Sequence, residues 1–141
     1  MPVLTPSARA VIESDHLAHL VTLNPDGSPH VTIAWTGLDG DEIVIASLRH
    51  FRKLKNIARD PRVAVSTQGL GIHPIGLREY LVVYGSARIE QGGAADLLRR
   101  LARVYIGPDS NFPPDDDPPP GWITRIVPER LGGAGPWLQG N

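Results

Sequence analysis

Residues 17–23, 29–36 and 42–47 are short, apolar and rich in Leu, Val, Ile and Thr, and each is cut from the next by a turn signal. Asn24-Pro25-Asp26-Gly27 carries the residues a tight reversal needs, so the first two segments read as a β-hairpin. Leu38-Asp39-Gly40-Asp41 supplies a second turn, and the three segments together read as an antiparallel meander. A chain that opens this way is committed to antiparallel sheet, because a parallel sheet needs a crossover of a dozen or more residues between strands.

Helical periodicity is confined to a few places. Residues 5–14 set Ala8, Val11 and Ile12 on one side of a short helix, with Thr5 and Pro6 suited to its cap and first turn. Residues 50–59 place Phe51, Leu54, Ile57 and Ala58 on one face and spread Arg52, Lys53, Lys55, Asn56 and Arg59 over the others. Pro61 stops this basic helix, and residues 62–67 resume a strand pattern. Residues 68–77, with three glycines and a proline, read as a loop. Residues 78–89 form a long strand with Tyr80, Val82 and Tyr84 on one face and Leu81 and Val83 on the other. Leu97, Leu98, Leu101 and Val104 mark a second long helix over 94–105. Residues 107–121 hold six prolines and four aspartates around a single aromatic residue, and read as a Pro/Asp-rich surface loop or lid. Residues 123–127 offer a last strand, followed by a flexible glycine-rich tail at 132–141 that carries Trp137. Six strands with short antiparallel connections and two substantial helices predict a mainly β, α+β fold, a small barrel rather than a parallel sheet.

A chain of 141 residues has room for one domain spanning 1–141. It contains no cysteine, which removes disulfides, thiolate metal sites and a cysteine nucleophile and suits a reducing cytoplasm. No stretch approaches the ~20 apolar residues that span a bilayer, and the first residues do not read as a secretion signal. Net charge is −1, so no global field favours nucleic acid and any anion site has to be local. The five histidines lack metal-ligand spacing, and we expect no metal. No serine sits in a nucleophile elbow, and Gly69-Leu70-Gly71 leads into a proline rather than a helix, which disfavours hydrolase and Rossmann readings.

The one local concentration of charge is Ser47-Leu48-Arg49-His50-Phe51-Arg52-Lys53-Leu54-Lys55-Asn56, a hydroxyl at a strand end followed by cations at a helix start. A phosphate gains there from free backbone N–H groups and from charged hydrogen bonds. Spacing alone favours the simpler reading, a solvated helix face.

Three stretches carry a wider pattern. They are residues 18–32 around Asn-Pro-Asp-Gly; Arg52-Lys53 with Asn56 and Arg59-Asp60-Pro61-Arg62-Val63-Ala64; and Arg125-Ile126-Val127-Pro128-Glu129-Arg130 followed by Gly135-Pro136-Trp137. In their order and spacing the chain resembles the flavin- and deazaflavin-dependent split-barrel oxidoreductases related to pyridoxamine phosphate oxidase. The hairpin and the closing Gly-Pro-Trp look most like the branch, found in actinobacteria, that uses the deazaflavin coenzyme F420. The resemblance implies a six-stranded antiparallel split β-barrel of the FMN-binding type, homodimeric, with cofactor at the subunit interface. It implies that His30, Val31, Thr32 and Ile33 lie along the ring system, that Ser47, Arg52 and Lys53 hold the phosphate, and that Asn56 supports their turn. Arg49, Lys55 and Arg59 become spare cations for the acidic tail of coenzyme F420, which FMN lacks. Tyr80 becomes a partner-subunit contact, and Trp137 either docks near the cofactor or fills volume. One departure stands out: Arg78-Glu79-Tyr80 moves the arginine of many relatives by one residue, which reverses its face. The implied activity is transfer of a hydride from reduced deazaflavin to an unsaturated small-molecule substrate. An FMN-binding oxidase or flavin reductase is the alternative on the same fold, and a non-catalytic flavin, deazaflavin or haem carrier is the alternative in another class.

Overall fold

The computed structural model describes residues 2–141. Helix α1 (Pro6–Ile12) starts at Thr5, whose hydroxyl accepts the Ala8 N–H at 3.3 Å, and it buries Ala8, Val11 and Ile12. Strands β1 (Ala18–Leu23) and β2 (Pro29–Ala34) form the expected hairpin, closed where the Asn24 N–H meets the Ser28 carbonyl at 2.8 Å. Then follow β3 (Gly37–Asp39), β4 (Glu42–Ser47), α2 (Arg52–Arg59), β5 (Arg62–Ile72), β6 (Arg78–Gln91), α3 (Ala94–Tyr105), β7 (Trp122–Ala134) and a 3-10 helix (Pro136–Gln139).

The sheet has seven strands, not six, in the order β2-β1-β5-β6-β7-β4-β3, and every pairing is antiparallel. The additional strand is β3, which pairs Asp39 with Glu42 across a turn reduced to Gly40 and Asp41. The expected meander is also corrected. β4 pairs with β7 and β3, while β2 pairs with β1 alone, so the third segment does not lie beside the second. β2 and β3 are thus the two ends of the sheet, yet only Trp35 and Thr36 separate them in the chain. Two residues reach on the order of 10 Å at most. The ends must therefore lie close, and the sheet is rolled into a barrel whose seam runs between β2 and the β3–β4 pair.

Two stretches expected to be irregular are regular. β5 continues to Ile72 because its glycines clear a path for Glu79 on the neighbouring strand: a Cβ on Gly69 would lie 2.8 Å from that of Glu79. β7 continues through Gly132 to Ala134, where Gly133 holds φ +89° against the Tyr80 carbonyl, a conformation open to glycine alone at low cost. Pro128 is tolerated in this interior strand because the ladder slips there, between Tyr84 and Gly85. Glycine enrichment marked close backbone approach, not looseness.

Leu20, Ile43, Ile45, Val65, Leu81, Val83 and Ile126 alternate inward and fill the barrel. α1 and Trp137 belong to this same core. Trp137 is 4 % exposed and donates its indole N–H to the Gly132 carbonyl at 2.9 Å. α3 packs Leu97 and Leu101 on the outer side of β4 against Val44, a separate small cluster. Trp137→Ala empties a large buried site, and we expect a loss of about 3–5 kcal/mol in stability by urea titration. A loss under about 1 kcal/mol would show that the C-terminal turn is not part of the core.

Candidate functional site

A cleft of about 270 Å³ opens at the barrel seam. Ile33, Ala34 and Trp35 line it from the β2 side, Ala46 from β4, Lys53 from α2 and Phe112 from the Pro/Asp-rich loop. Its walls are apolar except at Lys53, which is only 8 % exposed. No carboxylate among the described residues comes within ion-pairing distance of that ammonium. Its one notable neighbour is the Phe51 ring, 5.4 Å away. Burial pulls the Lys53 amine below its ordinary value of 10.5. The cleft is therefore an apolar slot with a buried, unpaired cation in its wall, an arrangement that favours a planar apolar body carrying an anionic arm.

The other residues expected at the site divide between two faces of the sheet. Successive side chains on β2 point to opposite sides, and of residues 30–33 only Ile33 lines the cleft. His30 and Thr32 sit opposite Thr22 and Leu20, on the inward side, and their Nδ1 and Oγ1 atoms are buried with no partner in the chain. Val31 and Ile33 are exposed on the outer side. Ser47 ends the inward row of Ile43 and Ile45 on β4, 3 % exposed, its hydroxyl also unpartnered. Arg49 is exposed and lines none of the cavities around α2.

Asn56 is buried, and its Nδ2 donates to Thr22 Oγ1 at 3.0 Å and to Asn24 Oδ1 at 3.1 Å. Arg59 donates to the Leu23 carbonyl and to Asn56 Oδ1. These bonds tie α2 to the β1–β2 hairpin and so set the height of Lys53 in the cleft. Arg52, Lys55, Asn56 and Arg59 share one face of α2 and, with Pro25, enclose a basic pocket of about 300 Å³. None of its three cations is ion-paired among the described residues.

Tyr80 is half-exposed on the outer face of the sheet, and Trp137, expected beside the cofactor or as filler, is in the core and absent from the cleft lining. Sequence reading assigned no site role to Phe112. Trp35 stacks on Tyr105 with ring centroids 5.3 Å apart, and Phe112 stands edge-on to it at 5.7 Å. The signal for Phe112 was its isolation as the one aromatic in a proline-rich loop.

A family model described as Pyridoxamine 5'-phosphate oxidase matches residues 4–131, nearly the whole chain. The chain belongs to the pyridoxamine 5'-phosphate oxidase family. No curated protein sequence matches it. Among solved structures it is similar to one described as an F420 reductase, at 27% identity over 88% of this chain and 94% of that one, with a TM-score of 0.71. It is likewise similar to a conserved hypothetical protein from Mycobacterium tuberculosis, at 26% identity over 93% of this chain and 84% of the other, with a TM-score of 0.69. An FMN-binding protein from Syntrophomonas wolfei shares 13% identity over 94% and 86% of the two chains at a TM-score of 0.69, a likeness of fold alone. Among the described residues no helix is long and apolar enough to cross a membrane.

The buried amine yields a prediction with a definite sign. Lys53 is harder to protonate folded than unfolded, so the unfolded chain holds more protons between the lowered value and 10.5. Stability of the ligand-free protein should then rise with pH across that window and level off above it. Lys53→Met removes the buried charge, and we expect a melting temperature higher by a few degrees at neutral pH with no alkaline rise. An unchanged alkaline limb in thermal melts would mean that Lys53 is not the group responsible.

Proposed function

We propose that the chain is one subunit of a homodimeric, cytoplasmic reductase that binds coenzyme F420 in the seam cleft and passes a hydride to an unsaturated organic substrate. The observation that carries this reading is Lys53, an ammonium buried in an apolar cleft with no acidic partner. Evolution tolerates such a destabilising group where a ligand supplies the missing anion. The unpartnered His30, Thr32 and Ser47 polar atoms lie on β2 and β4, the strands that flank the seam, and fit a ligand rich in hydrogen-bonding groups. β2 is an edge strand, so one row of its backbone donors and acceptors is unpaired, as suits a ring edged with carbonyl and N–H groups.

In this reading Lys53 and Arg52 hold the phosphate, the buried Ser47 hydroxyl backs the same turn, and Asn56 keeps α2 in place. The basic pocket of Arg52, Lys55 and Arg59 favours F420 over FMN, since FMN ends at its phosphate and would leave those cations idle. Bound in its reduced form, the deazaflavin ring supplies a hydride to an electron-poor carbon, and solvent supplies the proton. The cleft walls exclude water from the ring and fix its plane. The carrier reading requires tight binding with no oxidation of the reduced cofactor by any acceptor, which stopped-flow absorbance distinguishes.

The outer face of the sheet supports the dimer. Val31 faces Val21, then Ala64, then Tyr84 across four strands, and Ile33, His19, Ser66 and Val82 form the adjacent row. Val31, Ile33, Tyr80 and Tyr84 are 40–60 % exposed there. Large apolar side chains exposed together on one sheet face suit an association surface, and a second copy would cover them with the same face.

Two measurements test the proposal. Lys53→Ala should weaken coenzyme F420 binding by about 1.5–3 kcal/mol in a fluorescence titration, and unchanged affinity would reject the assignment. Ile33→Asp should turn the dimer into a monomer in sedimentation velocity, because an unpaired carboxylate buried in the interface costs several kcal/mol. A dimer that survived the substitution would place the interface elsewhere.

A further inference from the structure

The Pro/Asp-rich loop lies outside the stretches that carry the family resemblance, yet it sends one side chain to the cleft. Phe112 lines the slot together with Trp35, and the two rings meet edge to face at 5.7 Å and 70°. Trp35 cannot yield to it. Its indole is stacked at 8° on Tyr105, whose hydroxyl accepts the Thr36 N–H at 3.1 Å and donates to the His16 carbonyl at 3.2 Å. Tyr105 closes α3, so the pair is braced by a helix on one side and by the β2–β3 link on the other.

Phe112 is held as well. Its N–H donates to Ser110 Oγ at 3.2 Å, and the next residue, Pro113, is buried. Six prolines stiffen the segment by fixing φ, which makes it a wall of set height rather than a swinging flap. Exposure orders the cleft from inside to outside: Lys53 is 8 % exposed and Phe112 39 %. A cofactor anchored on Lys53 therefore meets the protein's interior first, while a molecule arriving from solvent meets Phe112 first.

We propose that Phe112, held edge-on to Trp35 at the mouth of the seam cleft, is a specificity-determining residue that admits flat conjugated acceptors and turns away thick ones. Two effects act together. Aromatic rings prefer edge-to-face and offset-stacked contacts, which a planar acceptor can make with Phe112 and Trp35. An acceptor with substituents above and below its plane collides with a wall that does not retreat. The inference rests on the placement of the cofactor in this cleft, and it names the class of acceptor that would reach it.

The test uses two unsaturated ketones of similar size on the ligand-free dimer, by isothermal titration calorimetry. Benzylideneacetone is flat and conjugated, whereas isophorone is thickened by a geminal dimethyl group. The wild type should bind the flat ketone more tightly, and Phe112→Ala should shrink that preference by about fivefold or more, the scale of one aromatic contact. Phe112→Leu keeps most of the volume without the ring and should fall between the two. Affinity for coenzyme F420 should stay within about twofold in both variants, a change under half a kcal/mol. A wild type with no preference, or a preference unchanged in Phe112→Ala, overturns the proposal. Loss of F420 affinity in Phe112→Ala without a change in preference overturns it too, by assigning the ring to the cofactor. If no form of the protein binds F420, the cofactor placement fails while the ketone ratio still decides the role of Phe112.

Discussion

Two residues, Trp35 and Thr36, join the opposite ends of a seven-stranded sheet. That short link is the constraint from which the site follows. It forces the sheet to roll, and because β2 does not hydrogen-bond to β4, it leaves a seam in place of a closed ladder. A seam in a barrel is a liability unless something occupies it, since it exposes backbone donors and acceptors beside an apolar interior. Here the seam is flanked by α2, α3 and the Pro/Asp-rich loop, which turn it into a slot with one cation in its wall. The link is fastened at Thr36, whose backbone N–H reaches Tyr105 and whose hydroxyl donates to the Ile12 carbonyl at 3.2 Å. The same contacts that close the barrel thus also hold the aromatic wall of the slot.

The chain carries costs at this seam that its fold does not require. Lys53 is desolvated without a partner, and three buried polar atoms on the flanking strands β2 and β4, on His30, Thr32 and Ser47, are left unpaired within the chain. Each unpaired buried polar group costs on the order of 1–3 kcal/mol. On another flank charges are paired: Arg125 reaches Asp39, Glu42 and Glu90, and Arg88 reaches Glu42. That four-strand ionic network contrasts with the unpaired Lys53, and the contrast supports the proposed anion site.

How much of this was legible in the residues depends on the range of the interaction that decides each part. The β1–β2 hairpin, the three helices and the basic face of α2 were legible because turn chemistry and helical period are local. The seventh strand was not, because Leu38 and Asp39 join the sheet only through pairing with β4, and a turn signal reads the same either way. The extensions of β5 and β7 were hidden by glycines, whose local meaning is flexibility. Their meaning here, room for Glu79 and for the Tyr80 carbonyl, exists only once the neighbouring strands are in place. The core role of Trp137, one of the two left open, was undecided for the same reason: a glycine-rich approach reads as a loose tail until α1 and the barrel end supply its pocket.

Within the candidate site, legibility split along the sheet's period of two. The resemblance supplied a stretch, residues 30–33, and the strand sends its successive side chains to alternate faces. His30 and Thr32 turn inward and keep unpaired polar atoms, whereas Val31 and Ile33 turn outward and stay apolar. Ile33 sits where both uses meet, on the outer face and on the rim of the cleft. Under the proposed function a second copy docking on the outer face would press on the same side chain that lines the slot. A substitution at position 33 would then disturb dimer and cofactor retention together, while one at Lys53 would disturb only the second.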